Sequence, residues 1–290
     1  VSRLSVPKTY KLAIGGAFPR SESGRTYVVT APSGEFIANA SLASRKDARD
    51  AVVAARGAQP KWAGATAYNR GQVLYRIAEL LEGRRAQFVD EIVQSEGVTA
   101  TAAGAQVDAT IDLWVWYAGW ADKYAQLAGN GNPVSGPYFN LSVPDATGVV
   151  AAIAPQDSTG VSLLGLAAVV APIVLSGNTV VVVANEAAPL SAISLAEVLA
   201  TSDVPGGVVN VLTGSPAELA PWLASHADVN ALDLAGAGSL ADGAWVDLQI
   251  SAAETLKRVL PPVEGAPAPS LERITAFVET KTVWHTKAML

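Results

Sequence analysis

Ser176-Gly177-Asn178-Thr179-Val180-Val181-Val182-Val183, residues 176–183, passes from a turn into four consecutive valines. An unbroken β-branched run has no polar side to give to water, so it suits a strand covered on both faces, as in a parallel sheet. Just upstream, residues 161–175 are almost wholly apolar, interrupted by Ser162 and Pro172. That run is shorter than the ~20 residues a membrane-crossing helix needs. Helix, turn and buried strand together predict an α/β core and no membrane span.

Working outward, the pattern alternates. A helix is expected over 191–201, a strand over 208–212, a helix over 216–225 and a strand over 230–234. Strands and helices at this spacing predict a parallel sheet with crossover helices, and such sheets bind nucleotides at the carboxyl ends of their strands. Upstream, strands at 138–143 and 149–153 flank Pro144-Asp145-Ala146-Thr147, which reads as the turn of a hairpin over about 136–153. Before that, helices are expected from Ser44, over 67–83, over 84–96 and over 106–127. Ser44 suits an N-cap, with Asp47 near the positive end of the helix dipole. The last helix carries Trp114, Trp116, Tyr117, Trp120 and Tyr124, an aromatic stripe that reads as core or subunit interface. Short strands are expected at 11–14 and 27–30. Residues 265–270 (Gly-Ala-Pro-Ala-Pro-Ser) read as a linker, and 274–284 as a terminal strand.

Half of the 290 residues are hydrophobic and 16% are charged, enough for a sizeable core in one or two domains. The net charge of −6, without a Lys/Arg cluster, argues against a nucleic-acid surface. There is no cysteine, which excludes disulfides, thiolate metal sites and a cysteine nucleophile within these residues. Residues 1–12 carry no apolar signal core. A cytoplasmic protein is expected, with no membrane contact. His226 and His285 are too far apart for metal-ligand spacing, and no nucleophile elbow accompanies them. His226 reads as a helix cap.

Several stretches then match one family in order and spacing. Ile14-Gly15-Gly16, Ser44-Arg45-Lys46-Asp47 and Trp62 open the series. Thr147-Gly148-Val149-Val150 with Ile153-Ala154-Pro155 follows, then Ser176-Gly177-Asn178-Thr179, then Glu186 with Pro189-Leu190-Ser191-Ala192. Pro205-Gly206-Gly207-Val208-Val209-Asn210-Val211-Leu212-Thr213-Gly214 is the most distinctive. On these residues the chain resembles the aldehyde dehydrogenase superfamily, in its nucleotide-binding domain. Thr255-Leu256-Lys257-Arg258-Val259 resembles the segment before the family's general-base Glu, and residues 277–284 resemble its C-terminal oligomerisation strand.

The departures from the family pattern carry the functional expectation. Where the family reads Pro-Trp-Asn and uses the Asn in an oxyanion hole, this chain has Pro155-Gln156-Asp157-Ser158. An ionised carboxylate there repels a developing oxyanion. Val183-Ala184 replaces a Lys-Pro pair, and Leu234-Ala235-Gly236-Ala237 replaces a Phe-Thr-Gly-Ser turn that meets the dinucleotide phosphates. Ala241 stands where a helix glycine is expected. Pro262 aligns with the general base, and Glu264 is displaced from it. The remaining phosphate cradle would be the backbone of Gly236-Ala237-Gly238-Ser239.

The resemblance therefore implies an α/β fold: an aldehyde-dehydrogenase-like Rossmann-type parallel sheet with helices on both faces and a small β oligomerisation element. Residues 1–264 are expected to form the nucleotide-binding domain, including the hairpin. A linker over 265–273 stands in place of the catalytic domain, and 274–290 form the oligomerisation strand. No catalytic residue and no metal ligand is expected. Pro155, Glu186, Gly214 and Gly236 would be a vestigial cofactor site, with no cofactor bound or residual NAD. Tyr138, Phe139, Leu141, Val143, Phe277, Thr280, Lys281, Val283 and Trp284 would mediate assembly. The expected role is a non-catalytic subunit joined to a full-length aldehyde dehydrogenase. The alternatives are an NAD-holding sensor and a homo-oligomeric scaffold.

Overall fold

The computed structural model describes residues 4, 6–157 and 160–287. Ser158 of the strand-end motif, residues 1–3 and 5 of the N-terminal stretch, and the last three residues (288–290) of the expected terminal strand lie outside the described residues.

The chain opens with a small sheet of β1 (Thr9–Tyr10), β2 (Thr26–Thr30) and β3 (Phe36–Ser41), ordered β1-β3-β2. The 11–14 expectation is corrected: the strand lies two residues earlier, and Ala13 and Ile14 make only isolated bridges. Helix α1 (Arg45–Ala63) then starts at a capping box. Ser44 Oγ accepts from the Lys46 and Asp47 amides, and the Asp47 carboxylate accepts from the Ser44 amide at 2.8 Å. Helices α2 (Ala67–Gly83), α3 (Arg85–Glu96), α4 (Ala100–Trp120) and α5 (Tyr124–Ala128) follow. The fourth helix starts six residues before the expected position, because Thr99 caps it by accepting from the Ala102 amide. Alanines fill its first turns, so apolar periodicity could not reveal them. It stops at Trp120, and α5 is a separate short helix. Leu113, Trp114 and Tyr117 are buried in the core, while Trp116 and Trp120 are half-buried.

The central sheet has five parallel strands. In chain order these are β6 (Val149–Ile153), β7 (Thr179–Val183), β8 (Val209–Leu212), β9 (Ala231–Asp233) and β10 (Arg258–Leu260). Their spatial order is β10-β9-β6-β7-β8. Helices α6 (Ser162–Leu175), α7 (Leu190–Ala200), α8 (Pro216–Ser225) and α9 (Trp245–Ala253) connect them. Both sheet faces are covered, which is why the valine run is unbroken. Val180 and Val182 pack into one core with α6, α7 and the α2–α4 helices, while Val181 and Val183 pack into the other with α1 and α8. Each buried valine stabilises the fold by about 1.5–3 kcal/mol relative to exposure. Among the described residues, no helix is long and apolar enough to cross a membrane.

The expected hairpin over 136–153 is corrected. Residues 138–146 form β5 (Tyr138–Ala146), which pairs antiparallel with β4 (Asn130–Asn132) and with β11 (Val278–Thr286), whereas β6 belongs to the central sheet. The residues read as a turn mostly continue β5. The chain changes sheets at Thr147 and at Gly148, whose φ of +136° and contact with Asn230 exclude a side chain. The composition is consistent with this: β6 is buried at every position, and β5 alternates.

The linker expectation over 265–273 is also corrected. Its end enters α10 (Leu271–Thr275), capped by Ser270, and Arg273 is buried. The terminal strand accordingly begins at Val278 rather than Ile274.

Candidate functional site

The strand order reverses at β6: the chain moves one way to β7 and β8, then the other way to β9 and β10. A crevice opens at the carboxyl ends beside such a switch point. It has two lobes. The first, of about 380 Å³, is lined by Pro155, Gln156, Asp157, Gly236, Ser239 and Glu264 among others. The second, of about 390 Å³, is lined by Gln156, Glu186, Ser215, Ser239 and Ala241 among others. Gln156 and Ser239 border both lobes.

Two side-chain amides tie the strand ends together between the lobes. Gln156 Nε2, just past β6, donates to the Ala154 carbonyl at 2.7 Å and to the Ala184 carbonyl at 3.2 Å. Gln156 Oε1 accepts from the Glu186 amide at 3.0 Å. Asn185, buried just past β7, reaches the other way. Its Nδ2 donates to the Pro155 and Asp157 carbonyls at 3.1 and 2.9 Å, and its Oδ1 accepts from the Ala188 amide at 2.9 Å. The sequence reading singled out neither amide. The available signal was an amide two or three residues past each of two adjacent strand ends, at Asn185 and Gln156.

The expected site residues fall as follows. Pro155 is buried and walls the first lobe. Glu186 is exposed in the second lobe, where partial burial of its carboxyl raises its pKa. Gly236 sits in a short 3-10 turn (Ala235–Ser239) so close to the end of β6 that a Cβ there would overlap the Ala154 carbonyl. Gly214, at φ +124°, packs against Leu42 and Ala43 beyond β8. Glu264, read as displaced, lines the first lobe with Asp157. Asp157, Glu186 and Glu264 thus contribute three carboxylates, and among the described residues neither lobe is lined by Lys, Arg or His. Val183 and Ala237 are fully buried.

One amide of the cradle expected at 236–239 is turned inward. The Ala237 amide donates to the Leu234 carbonyl, Ser239 Oγ donates to the Gly236 carbonyl, and the Leu240 amide donates to the Ala237 carbonyl. His226 caps α8, accepts from the Asp228 amide at Nδ1 and stacks edge-on to Trp222, and burial lowers its pKa. His285 lies in β11 opposite Phe139. Among the described residues, no group of three or more His, Asp or Glu could hold a metal ion.

The second feature is the β11-β5-β4 sheet. β11 and β5 pair over nine residues, Val278 opposite Ala146 through Thr286 opposite Tyr138. One face carries Phe139, Leu141, Val143, Lys281 and Val283, with Phe139 65% and Leu141 45% exposed. The other carries Tyr138 packed edge-on to Trp284, which is 58% exposed, with Thr280 exposed along the same strand. Phe277 is a correction: it is fully buried in the main core, and its carbonyl accepts from Asn178 Nδ2 at 2.7 Å. It anchors the strand rather than presenting a surface.

Comparison with known proteins agrees with this architecture. Residues 18–266 match the model of the aldehyde dehydrogenase family. The chain is 32% identical over 244 residues to mouse cytosolic 10-formyltetrahydrofolate dehydrogenase, covering 81% of this chain and 26% of that protein. It is 31% identical over 252 residues to D-glyceraldehyde dehydrogenase (NADP+) of Thermoplasma acidophilum, covering 86% of this chain and 49% of that protein. The solved structure of a Bacillus cereus aldehyde dehydrogenase with NAD+ superposes with a TM-score of 0.78 at 25% identity, over 87% of this chain and 50% of that one. The chain thus spans about half the length of the solved relatives and a quarter to a half of the curated ones it matches.

Proposed function

The chain belongs to the aldehyde dehydrogenase family, and from that premise we propose that it serves as a non-catalytic subunit assembling with a full-length catalytic member of the family. The observation that carries this reading is the β11–β5 pairing. It follows directly on a connection from Leu260 to Val278 that holds only the one-turn helix α10. That connection is far below the ~50 residues of a small domain. It leads straight from the central sheet to a nine-residue edge strand with apolar side chains exposed beside it. An edge strand of that length is a template for pairing with another chain. β11 would extend a sheet of the partner, while Phe139 and Leu141 on one face would bury apolar area against it.

Chemistry would then come from the partner. These residues include no cysteine, and on the resemblance Pro262 would stand at the position of the general base and Asp157 at that of an oxyanion donor. No step of aldehyde oxidation is assigned to this chain, and an exposed Asp157 carboxylate would oppose the charge that such a step develops.

The test is co-expression of the tagged chain with an untagged, cysteine-bearing member of the family from the same source. Co-elution in a defined ratio is expected, together with no aldehyde-dependent NADH formation by the chain alone. A chain that elutes only with itself in the partner's presence, or that turns over aldehyde after removal of contaminating enzyme, overturns the reading.

A further inference from the structure

We infer that the crevice excludes a dinucleotide and admits instead a phosphate-free ligand, uncharged or cationic and no larger than a nucleoside, with Gln156, held in place by the clasp it forms with Asn185, setting that limit. The fold family implies a dinucleotide here, and three observations oppose it.

The first is the reciprocal amide clasp. Gln156 and Asn185 together occupy the carbonyls of Ala154, Pro155, Asp157 and Ala184 and the amides of Glu186 and Ala188. A ligand running from one lobe to the other must cross Gln156, or displace it and leave those groups to be satisfied again. Each lobe alone lies near the lower end of the ~300–1,000 Å³ range of ligand pockets.

The second is charge. Asp157 and Glu264 line one lobe and Glu186 the other, and among the described residues no basic side chain lines either. A pyrophosphate between them would meet like charge from both sides, whereas a neutral or cationic group would not. The third is that two of the five amides of the 235–239 turn are committed internally: Ala235 to the Asp233 carboxylate and Ala237 to the Leu234 carbonyl. The side chains lining the lobes offer carboxylate and hydroxyl acceptors, suited to the hydroxyls of a sugar or to an ammonium.

This inference holds whether or not the chain assembles with a partner. It is tested by calorimetric titration of the purified chain with adenosine, AMP and NAD at low ionic strength. Adenosine is expected to bind at least about tenfold more tightly than NAD, with AMP between them. The D157N/E264Q variant is expected to gain affinity for AMP at low salt, a gain that disappears at high salt. Q156A is expected to narrow the gap between adenosine and NAD. NAD binding as tightly as adenosine overturns the inference, as does the absence of binding by all three. If Q156A does not fold, the order of the three ligands on the unaltered chain still decides.

Discussion

Arg273 reaches from α10 to Asp233 at the end of β9, forty residues upstream, and the two form a buried ion pair. The Ala235 amide adds a hydrogen bond to the same carboxylate at 3.1 Å. The segment leading into β11 is therefore fastened to the central sheet and does not merely trail from it. Removing one partner of a buried pair leaves the other charge without compensation, at a cost of about 3–5 kcal/mol. Arg273→Ala is expected to lower unfolding stability in urea by about that amount. The paired change D233L/R273M should recover much of it. A loss below about 1 kcal/mol for Arg273→Ala would mean that the pair does not hold the segment.

Glu91 gives a pH dependence. Burial pushes its carboxyl above the usual range, while hydrogen bonds from Gln87 and Ser194 and the Lys8 charge oppose the shift, and Glu197 adds to it. Its Oε1 accepts from Ser194 at 2.7 Å, Gln87 at 3.0 Å and Tyr10 at 3.4 Å, and its buried Oε2 has no partner. Arg84, the residue before α3, pairs with Glu197. A folded-state pKa above the unfolded value means the native chain holds the proton more tightly. Its contribution is fully present below the ordinary carboxylate value and is lost as pH rises through the raised one. Thermal unfolding across that window should therefore show stability falling with pH in the unaltered chain and a flatter profile in Glu91→Gln. Parallel profiles would remove Glu91 from the account.

Gly236 has no room for a side chain, since a Cβ would overlap the rigid backbone carbonyl of Ala154. Gly236→Ala is expected to cost about 1–3 kcal/mol by overpacking. It should also separate the first lobe's two walls. Unchanged stability, measured by urea unfolding, would place the 235–239 turn farther from β6.

Phe139 and Leu141 are exposed on one face of the β11-β5-β4 sheet. The double change F139S/L141S is expected to leave the unfolding temperature within a degree or two, as for surface substitutions that alter stability by less than ~0.5 kcal/mol. It should abolish co-elution with the catalytic partner. A variant that still co-elutes would move the interface elsewhere.

The central sheet was legible because its strands are buried on both faces, and such strands announce themselves by unbroken apolar residues. The helix at 67–83 was legible because its apolar residues repeat at helical spacing. The family was legible from glycine and asparagine turns such as Ser176-Gly177-Asn178-Thr179. The 138–153 region was misread for the same physical reason in reverse: two adjacent strand-like runs look like a hairpin, and only their partners distinguish it. β5 finds β11, more than 130 residues downstream in the sequence, and β6 finds β7 and β9.

The sequence by itself determined the parallel α/β core, the helix capped at Ser44 and the family, because these follow from local periodicity and from turn residues with few conformational options. It also determined that these residues bring no cysteine. Only the tertiary structure decided that Phe277 is an anchor, that Arg273 meets Asp233, and that Gln156 and Asn185 cross between strand ends. Those relationships join residues about 30 to 100 positions apart, and no local pattern specifies which distant group a buried polar or aromatic side chain will face.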